Sequence, residues 1–578
     1  MGIPSFFSYI IKQHSGVLGN RQEVKLTSEQ FARLYMDCNS ILYDCYHSIP
    51  NLESTETTLE SIESILLERT STQIAKYIQD IHPSQIVYIA FDGVAPIAKM
   101  EQQRTRRYKS WFETVLTRKI EQKTTTPMDC TKTTSMFTPG TAFMDRLSLY
   151  MRTKFLGQES KYGVEQIIVA TPDEPGEGEH KLYTHLRQNP TDEPCAIYGL
   201  DADLMMLSLF HISYCANMYI FREAPQFAQL LNTQILKDGK NNNNEPIFID
   251  VAKLGRSISH EMRCGDPDPH RMYDYVFLCF LLGNDFLPHF PSLNIRTSGI
   301  TILLDTYRAV LGNKKECFIV TRTNPPQIQW REFSHLVTEL AKHEKDYICQ
   351  EYAVRKRWDK TPPQLQQKKT PKMKLDLFQN TPVLYREKER FINPHEKGWE
   401  ERYYQILFAA FENVHVEEEQ KINYIKQNVS VNYLEGLEWV FNYYLLGEVN
   451  WEWKYNYHYP PLLKDLALVI PRHHPASRFL LPGKETHPVS ALTQLAYVLP
   501  PVFHHLLPAH FLKEEYKQYY DGYTLNHDGL PVLDFEWSFC RYFWESHIHL
   551  PNIPIEILKE WNGIRSTTIR TQGISADS

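Results

Sequence analysis

Four short apolar segments recur in the first 200 residues, and longer helix-like stretches separate them. The segments are residues 33–36, 85–91, 166–170 and 196–198. Apolar runs of this length predict buried strands, and strands that alternate with helices predict a parallel sheet with crossover helices. Residues 1–312 are therefore predicted to form an α/β domain with a mostly parallel central sheet flanked by helices.

Each predicted strand leads into one or two acidic side chains at its carboxyl end. In chain order these residues are Asp37, Asp92, Glu177, Glu179, Asp201 and Asp203. Ligands of open parallel sheets bind beyond the carboxyl ends of the strands, so we expect the six carboxylates to meet at one edge. A seventh acid, Asp285, follows the apolar run 276–282 and is predicted to lie at the end of a buried helix.

Seven carboxylates need positive charge among them, because neighbouring carboxylates raise one another's pKa. Mg²⁺ and Mn²⁺ are cations that oxygen ligands hold. Two such ions roughly 4 Å apart suit in-line displacement at phosphorus. The seven acids are therefore predicted to be metal ligands and catalytic residues, although a turn or helix cap explains any single one equally well. His180, beside Glu179, is expected to be a hydrogen-bond partner rather than a ligand.

A basic segment, residues 95–110, follows Asp92 and contains five cationic side chains and one acid. At about 100° per residue, four of its polar side chains share one face of a helix. They are Lys99, Gln103, Arg106 and Arg107. Arginine binds phosphate through paired hydrogen bonds and lysine adds a point charge, so this face predicts a pocket for a terminal 5′-monophosphate. A solvated basic face is the alternative.

The rest of the chain is predicted to contain a variable helix and linker at 313–398, a second packed region at 399–565 and a loose tail at 566–578. The linker part, 359–382, is rich in Pro, Gln and Lys. Trp451 and Trp453 lie in the aromatic-dense second region, where they either stack on bases or belong to a core. Tyr43 likewise stacks on the first base or simply packs.

The composition excludes several classes of protein. A net charge of −7 argues against a generally basic nucleic-acid binder but leaves room for a locally basic surface. None of the ten cysteines has C-x-x-C spacing, which indicates a reducing compartment and no zinc site. The most apolar run is too short to cross a bilayer. We expect an intracellular monomer, with the cytoplasm favoured, that binds no membrane.

Longer motifs resemble the Xrn family of 5′→3′ exoribonucleases. In the first 310 residues these are MGIPSFF, MDCNSILYDC, FDGVAPIAKMEQQRTRRY, FTPGTAFM, PGEGEHK, GLDADLMML and VFLCFLLGNDFLPHFPSL. In the second region they are ERYYQILF, YLEGLEWVFNYYLLGEVNWEWKYNYHYPP and QLAYVLP. The resemblance implies a nuclease core of the PIN and flap-nuclease type, with a mainly helical second region that braces it and closes the active site.

The resemblance also implies a function. It implies a Mg²⁺- or Mn²⁺-dependent, processive enzyme that degrades single-stranded RNA with a 5′-monophosphate, such as decapped messenger RNA, and releases nucleoside 5′-monophosphates. The metal ligands would be the seven acids, and the phosphate pocket would be the four residues of the basic face. Tyr43 departs from the family pattern, which has a histidine there that stacks on the 5′ nucleoside. Tyrosine can stack but carries no positive charge.

Two other functions remain open at this stage. A structure-specific 5′ flap DNA endonuclease would use the same metal chemistry, but the Gly-rich helix–turn–helix expected after Asp285 is missing. A catalytically silent RNA-binding scaffold would not need all seven acids. The chain is expected to be a compact member without the long C-terminal extension of the large cytoplasmic enzymes, of a kind that a large DNA virus or a protist encodes.

Overall fold

A seven-stranded sheet forms the centre of the protein in the computed structural model. Its strands are β1 (Leu18–Gly19), β2 (Arg33–Asp37), β3 (Ile86–Ala90), β4 (Gln166–Ala170), β5 (Cys195–Tyr198), β6 (Met218–Arg222) and β7 (Ile247–Asp250). Across the sheet the order is β1-β7-β6-β5-β2-β3-β4. The five strands from β6 to β4 are parallel, and β7 is antiparallel to both of its neighbours. The predicted fold class, with a mostly parallel sheet, is confirmed.

The structure describes most but not all of the chain. The described residues are 2–3, 5–20, 24, 30–50, 58–121, 133–223, 246–359, 383, 386–408, 418–447, 450–472, 486–508, 519, 530–561 and 563. Nearly all of the predicted linker and the whole of the predicted tail lie outside these residues.

Eleven helices of the described residues accompany the sheet. They are α1 (Phe6–Gln13), α2 (Asn39–His47), α3 (Leu59–Ile81), α4 (Ile97–Ile120), α5 (Ala142–Phe155), α6 (Glu159–Tyr162), α7 (Gly178–Gln188), α8 (Asp203–Phe210), α9 (Val251–Met262), α10 (Arg271–Cys279) and α11 (Gly299–Tyr307). A 3₁₀ turn, Phe280–Leu282, extends α10 towards Asp285. Asp285 therefore follows a buried helix, as predicted.

Alternate residues of the central strands face two separate cores, because successive side chains of a strand point to opposite faces. Tyr35 of β2 packs with α7, α8 and α10 in one core. Leu34 and Met36, its neighbours, pack with α2, α3 and α5 in the other. Helices thus cover both faces of the sheet, as a parallel sheet requires.

The second region is mainly helical, as predicted. It contains α14 (Trp399–Leu407), α15 (Glu418–Leu446), α16 (Leu463–Val469), α17 (Ala491–Val498) and the antiparallel pair β8 (Asp534–Glu536) and β9 (His547–His549). Before it, the predicted helix and linker at 313–398 contains α12 (Trp330–Asp359) and α13 (Glu387–Ile392). Phe441 of α15 packs edge-on against Phe277 of α10 and belongs to the same core as the sheet. The second region therefore shares a hydrophobic core with the α/β domain.

A third core joins α4 to the end of the chain. Met100, Tyr108 and Trp111 of α4 pack with Leu495 of α17 and with Trp561. Helix α4, which carries the predicted phosphate-binding face, is thus anchored by a hydrophobic core of its own.

Candidate active site

The acidic residues meet where four neighbouring parallel strands end. The register places Asp37 opposite Ala90 of β3, two residues before Asp92. It also places Met36 opposite Tyr198 of β5, whose chain continues to Asp201 and Asp203. Strand β4, on the other side of β3, leads to Glu177 after a short loop. The chain thus delivers the acids to one edge of the sheet, as expected.

Gly178 allows the start of α7 to approach two of these acids. Its amide donates a hydrogen bond to Asp92 Oδ1 at 2.7 Å. A Cβ atom on Gly178 would lie 2.7 Å from Asp37 Oδ1 and 3.4 Å from Asp92 Oδ1. The glycine between Glu177 and Glu179 is therefore required by the close approach of the carboxylates.

Asn39 holds Asp92 in place from the start of α2. Its side-chain amide donates to Asp92 Oδ2, and the Asp92 amide donates to Asn39 Oδ1 at 3.1 Å. Both groups of the Asn39 side chain are used, so the orientation of Asp92 is fixed on this side.

Lys99 lies inside the acidic cluster. Its ammonium is 2.6 Å from Glu177 Oε2 and 2.9 Å from Asp285 Oδ2. Burial lowers the pKa of Lys99, but attraction to Asp285 and Glu177 outweighs it and raises that pKa well above its ordinary value. The same contact holds the pKa of Asp285 at about 2 against the effect of burial. Lys99 was predicted to bind phosphate, and here it bridges two acids.

One lysine does not neutralise the cluster. Burial, and then repulsion from Asp92 and Asp201, raise the pKa of Asp37 well above its ordinary value. Burial and repulsion from Glu177 do the same for Glu179. Three buried oxygens have no hydrogen-bond donor among the described residues. They are Asp37 Oδ1, Glu179 Oε2 and Asp203 Oδ1.

This donor set fits divalent cations. Buried carboxylate oxygens that lack a donor and repel one another are the ligands that Mg²⁺ or Mn²⁺ prefers. Glu177, Glu179 and His180 each offer a ligand atom within 4.8 Å of the others. The structure thus brings all seven predicted acids together, and their role as metal ligands stays a prediction.

Two tyrosines of α15 reach into the cluster from the second region. Tyr443 Oη donates to Glu177 Oε1, and Tyr444 Oη donates to Asp203 Oδ2 at 2.7 Å. The ring of His180 stacks on that of Tyr443, with centroids 3.6 Å apart. We did not predict these tyrosines individually. They lie in an apolar stretch, and the acids that their hydroxyls contact are more than 240 residues away in the sequence.

The other three residues of the predicted phosphate pocket differ in their contacts and in their exposure to solvent. Gln103 Oε1 accepts a hydrogen bond from Gln494 Nε2 of α17 at 3.2 Å. Arg107 is half-buried, and burial lowers its pKa to about 10, opposed by nearby Tyr43. Arg106 is exposed. A cationic surface therefore continues from the acids along α4.

The predicted stacking residues also lie near this surface. The Tyr43 ring is half-buried and packs edge-on against Phe137, with centroids 5.2 Å apart. The Trp451 carbonyl accepts from Ile97 N at 3.0 Å, at the start of α4. Trp453 is buried and its ring stacks on Trp439 at 5.3 Å. This placement favours a core role for Trp453 over base stacking.

Two protein-family models match the chain. The model described as "XRN 5'-3' exonuclease N-terminus" matches residues 1–224, and "Xrn1 helical domain" matches residues 269–383 and 385–514. Together they cover well over half of the chain. The chain belongs to the Xrn family of 5′-3′ exoribonucleases.

Curated members of the Xrn family match along most of this chain. Arabidopsis thaliana "5'-3' exoribonuclease 2" is 24% identical over 97% of this chain and 67% of its own length. Saccharomyces cerevisiae "5'-3' exoribonuclease 1" is 25% identical over 92% of this chain and 41% of its own length. The human "5'-3' exoribonuclease 1" is 26% identical over 88% of this chain and 31% of its own length. This chain therefore spans less than a third of that relative.

Similarity to solved structures is weaker than similarity to Xrn sequences. The catalytic core of Rad2 in complex with DNA substrate aligns over 61% of this chain and 78% of its own, with 15% identity and a TM-score of 0.30. Among the helices that the structure describes, none is long and apolar enough to cross a membrane.

Proposed function

We propose that this Xrn-family chain degrades single-stranded RNA from a 5′-monophosphate end, with two divalent cations, and releases nucleoside 5′-monophosphates. The observation that carries the proposal is the convergence of seven carboxylates, six at four adjacent strand ends and Asp285 after α10, beside the cationic face of α4. A cluster of acids alone is compatible with many metal enzymes. The adjoining cations favour a substrate with a phosphorylated end.

The residues that would hold the ions are the seven acids. When bound, Mg²⁺ or Mn²⁺ would supply Lewis-acid activation of water and stabilisation of the leaving oxygen. Asn39 fixes Asp92, and Tyr443 fixes Glu177, so these carboxylates need not reorganise before they bind a cation.

Recognition of the 5′ end would belong to Arg106 and Arg107. A terminal phosphate carries nearly two negative charges and an internal phosphodiester carries one, so a pair of guanidinium groups favours the terminus. Arg107 is half-buried beside Tyr43, and Arg106 is the exposed member of the pair. Lys99 favours the charged forms of Glu177 and Asp285 and holds the two carboxylates close together.

The decisive experiment is a digestion time course on RNAs that differ only in the 5′ group. RNAs of one sequence would carry a 5′-monophosphate, a 5′-hydroxyl or a 5′ cap, with a labelled first nucleotide. We expect labelled nucleoside 5′-monophosphate from the first RNA only, in Mg²⁺ or Mn²⁺ and not in EDTA. A cleaved DNA flap with intact RNA would favour the flap endonuclease instead. If the chain binds RNA but cleaves neither the RNA nor the DNA flap, the silent RNA-binding scaffold would be favoured.

Decapped messenger RNA as the substrate and the cytoplasm as the compartment remain predictions. The same time course in extracts fractionated by compartment, followed with an antibody to the chain, would test the second of these.

A further inference from the structure

A cavity of about 840 Å³ adjoins the acidic cluster on another side of α4. Its walls come from α4, from the turn at 284–288, from the segment 454–458 and from the C-terminal segment 547–552. The volume is within the range of roughly 300–1,000 Å³ that is typical of small-molecule sites.

The cavity is separate from the predicted phosphate pocket but touches it. Four residues of α4 that line it recur at intervals of three or four, as one helix face requires. They are Ala98, Gln102, Thr105 and Lys109. Lys99, Gln103 and Arg107 do not line it. Arg106 belongs to both the cavity and the phosphate pocket, and Asp285 belongs to both the cavity and the acidic cluster, so the cavity adjoins the place where cleavage would occur.

Two cations in the cavity wall, Arg106 and Lys109, form no ion pair with the residues that the structure describes. Lys109 Nζ donates to the Trp544 carbonyl at 3.0 Å, and an ammonium has three donors, so two remain. Within the described part of the chain, no carboxylate lies within 4 Å of the Lys109 or Arg106 side-chain nitrogens.

The acids of the cavity wall do not cancel these two charges. Glu101 and Asp285 are already paired, with Lys454 and Lys99 respectively. Asp534, a third wall acid, is exposed to solvent, where its charge is screened. The cavity therefore has unpaired positive charge, which favours an anionic ligand.

Aromatic rings form the wall nearest to the C-terminal segment. The rings of His458 and His547 are nearly parallel, with centroids 5.1 Å apart, and His549 lies edge-on to His458 at 4.8 Å. Burial lowers the pKa of His458 to about 4, so this imidazole is neutral at neutral pH. The Trp544 ring is 45% exposed. Such rings suit a flat base, because stacking on aromatics tolerates any base.

The side-chain amide oxygen of Gln102 is a further polar group in the cavity wall. This Oε1 atom is buried and has no hydrogen-bond partner among the described residues. Buried polar atoms are rarely left unpaired, so the side chain points to a ligand or a bound water.

We propose that this cavity binds the nucleoside 5′-monophosphate that the chain releases, before the nucleotide leaves the protein. The proposal rests on the function proposed above. The phosphate would contact Arg106 and Lys109, which are one turn apart on α4, and the base would stack among the rings of the opposite wall. Arg106 would hold the phosphate both before and after cleavage. An occupied cavity should then slow the next cleavage, so the enzyme should show product inhibition.

The test measures initial rates on 5′-phosphorylated RNA at a fixed free Mg²⁺ concentration, with added AMP, UMP, adenosine or inorganic phosphate. We expect AMP and UMP to inhibit more strongly than adenosine or phosphate alone. Lys109→Met should raise the inhibition constant of AMP about tenfold, the effect of one charge-assisted hydrogen bond, and leave the rate without AMP unchanged. Lys119→Met, about 15 Å further along the same helix, is the matched control and should leave both quantities unchanged.

A second variant keeps the test available if Lys109→Met does not fold. Gln102→Glu has the same shape and places a negative charge in the cavity, so it should also weaken inhibition by AMP. Inhibition by AMP that is absent, or equal in wild type and both variants, would overturn the cavity proposal while RNA degradation stands. Calorimetric titration of the full chain with AMP supports the proposal if the wild type binds AMP more tightly than Lys109→Met and Gln102→Glu do. Failure to degrade RNA at all would instead remove the proposed function, and the product role with it.

Discussion

Tyr443 Oη donates a hydrogen bond of 2.5 Å to Glu177 Oε1, across 266 residues of the chain. The next residue, Tyr444, makes the equivalent contact to Asp203. Both rings are almost fully buried at the junction of α15 and the nuclease core. The second region therefore does more than cover the acidic cluster, because it sets the position of two of its carboxylates.

Tyr443→Phe should weaken metal binding and slow RNA degradation. The hydrogen bond favours the charged form of Glu177, and its loss leaves a carboxylate that is less well oriented for a cation. We expect Mn²⁺ affinity, measured by calorimetry on the purified chain, to fall by about 10- to 150-fold, as for a hydrogen bond to a charged group. Tyr433→Phe, which removes a bond to the Pro288 carbonyl from the same helix, is the control. Equal Mn²⁺ affinity in the two variants would contradict the prediction.

The strands that carry the acids could be predicted from the sequence because their signal is local. Each strand from β2 to β5 begins and ends within one residue of the apolar run that predicted it. Strands β1, β6 and β7 were not predicted. β1 has only two residues, and the antiparallel pairing of β7 depends on partners that a single segment does not reveal.

The contacts of individual side chains could not be predicted in the same way. Helical periodicity correctly placed Lys99 and Arg106 on one face of α4. It could not show that Lys99 contacts the acids whereas Arg106 is exposed to solvent. The pair Tyr443 and Tyr444 has no local feature that separates it from other aromatics of α15. Such contacts depend on how distant segments fold together.

Arg106→Ala should narrow the preference for 5′-phosphate over 5′-hydroxyl RNA. An exposed guanidinium beside the acids contributes charge-assisted hydrogen bonds to a terminal phosphate, so the ratio of kcat/KM values should fall about tenfold or more. The measurement is a comparison of initial rates on the two RNAs. Arg118→Ala, three turns further along α4, should keep the wild-type ratio. A ratio that Arg106→Ala leaves unchanged would remove this residue from 5′-end recognition.

Asp201→Ala should abolish hydrolysis and leave RNA binding largely intact. Asp201 contributes charge beside Asp37, and we expect a site that lacks one ligand to lose an ion it needs for cleavage. Gel shifts with 5′-phosphorylated RNA and a digestion time course on the same preparation measure the two properties. Asp305→Ala, an exposed acid of α11 outside the cluster, should behave as wild type. Undiminished digestion by Asp201→Ala would exclude this acid from the chemistry.

Gly178→Ala should impair the site without unfolding the protein. The new methyl group would lie 2.7 Å from Asp37 Oδ1, closer than carbon and oxygen atoms can pack, so Asp37 or α7 must move. Overpacking of this kind costs about 1–3 kcal/mol, and we expect at least a tenfold loss of activity with weaker Mn²⁺ binding. Gly16→Ala is the control, since nothing lies within 4 Å of the position that its methyl group would take. Normal Mn²⁺ affinity in Gly178→Ala would show that the carboxylates tolerate the displacement.

Glu344 should make the stability of the fold depend on pH. Its carboxyl group accepts hydrogen bonds from Leu463 N and Lys464 N at the start of α16, but burial outweighs these bonds and raises its pKa to about 8. Between about pH 4.5 and pH 8 the folded chain keeps a proton that the unfolded chain loses, so the free energy of unfolding should fall by up to about 5 kcal/mol as pH rises. Glu344→Gln cannot ionise and should lose this dependence, whereas Glu339→Gln on the same helix should keep it. Apparent melting temperatures measured at pH 5 and pH 8 provide the comparison, and parallel changes in all three proteins would contradict the assignment.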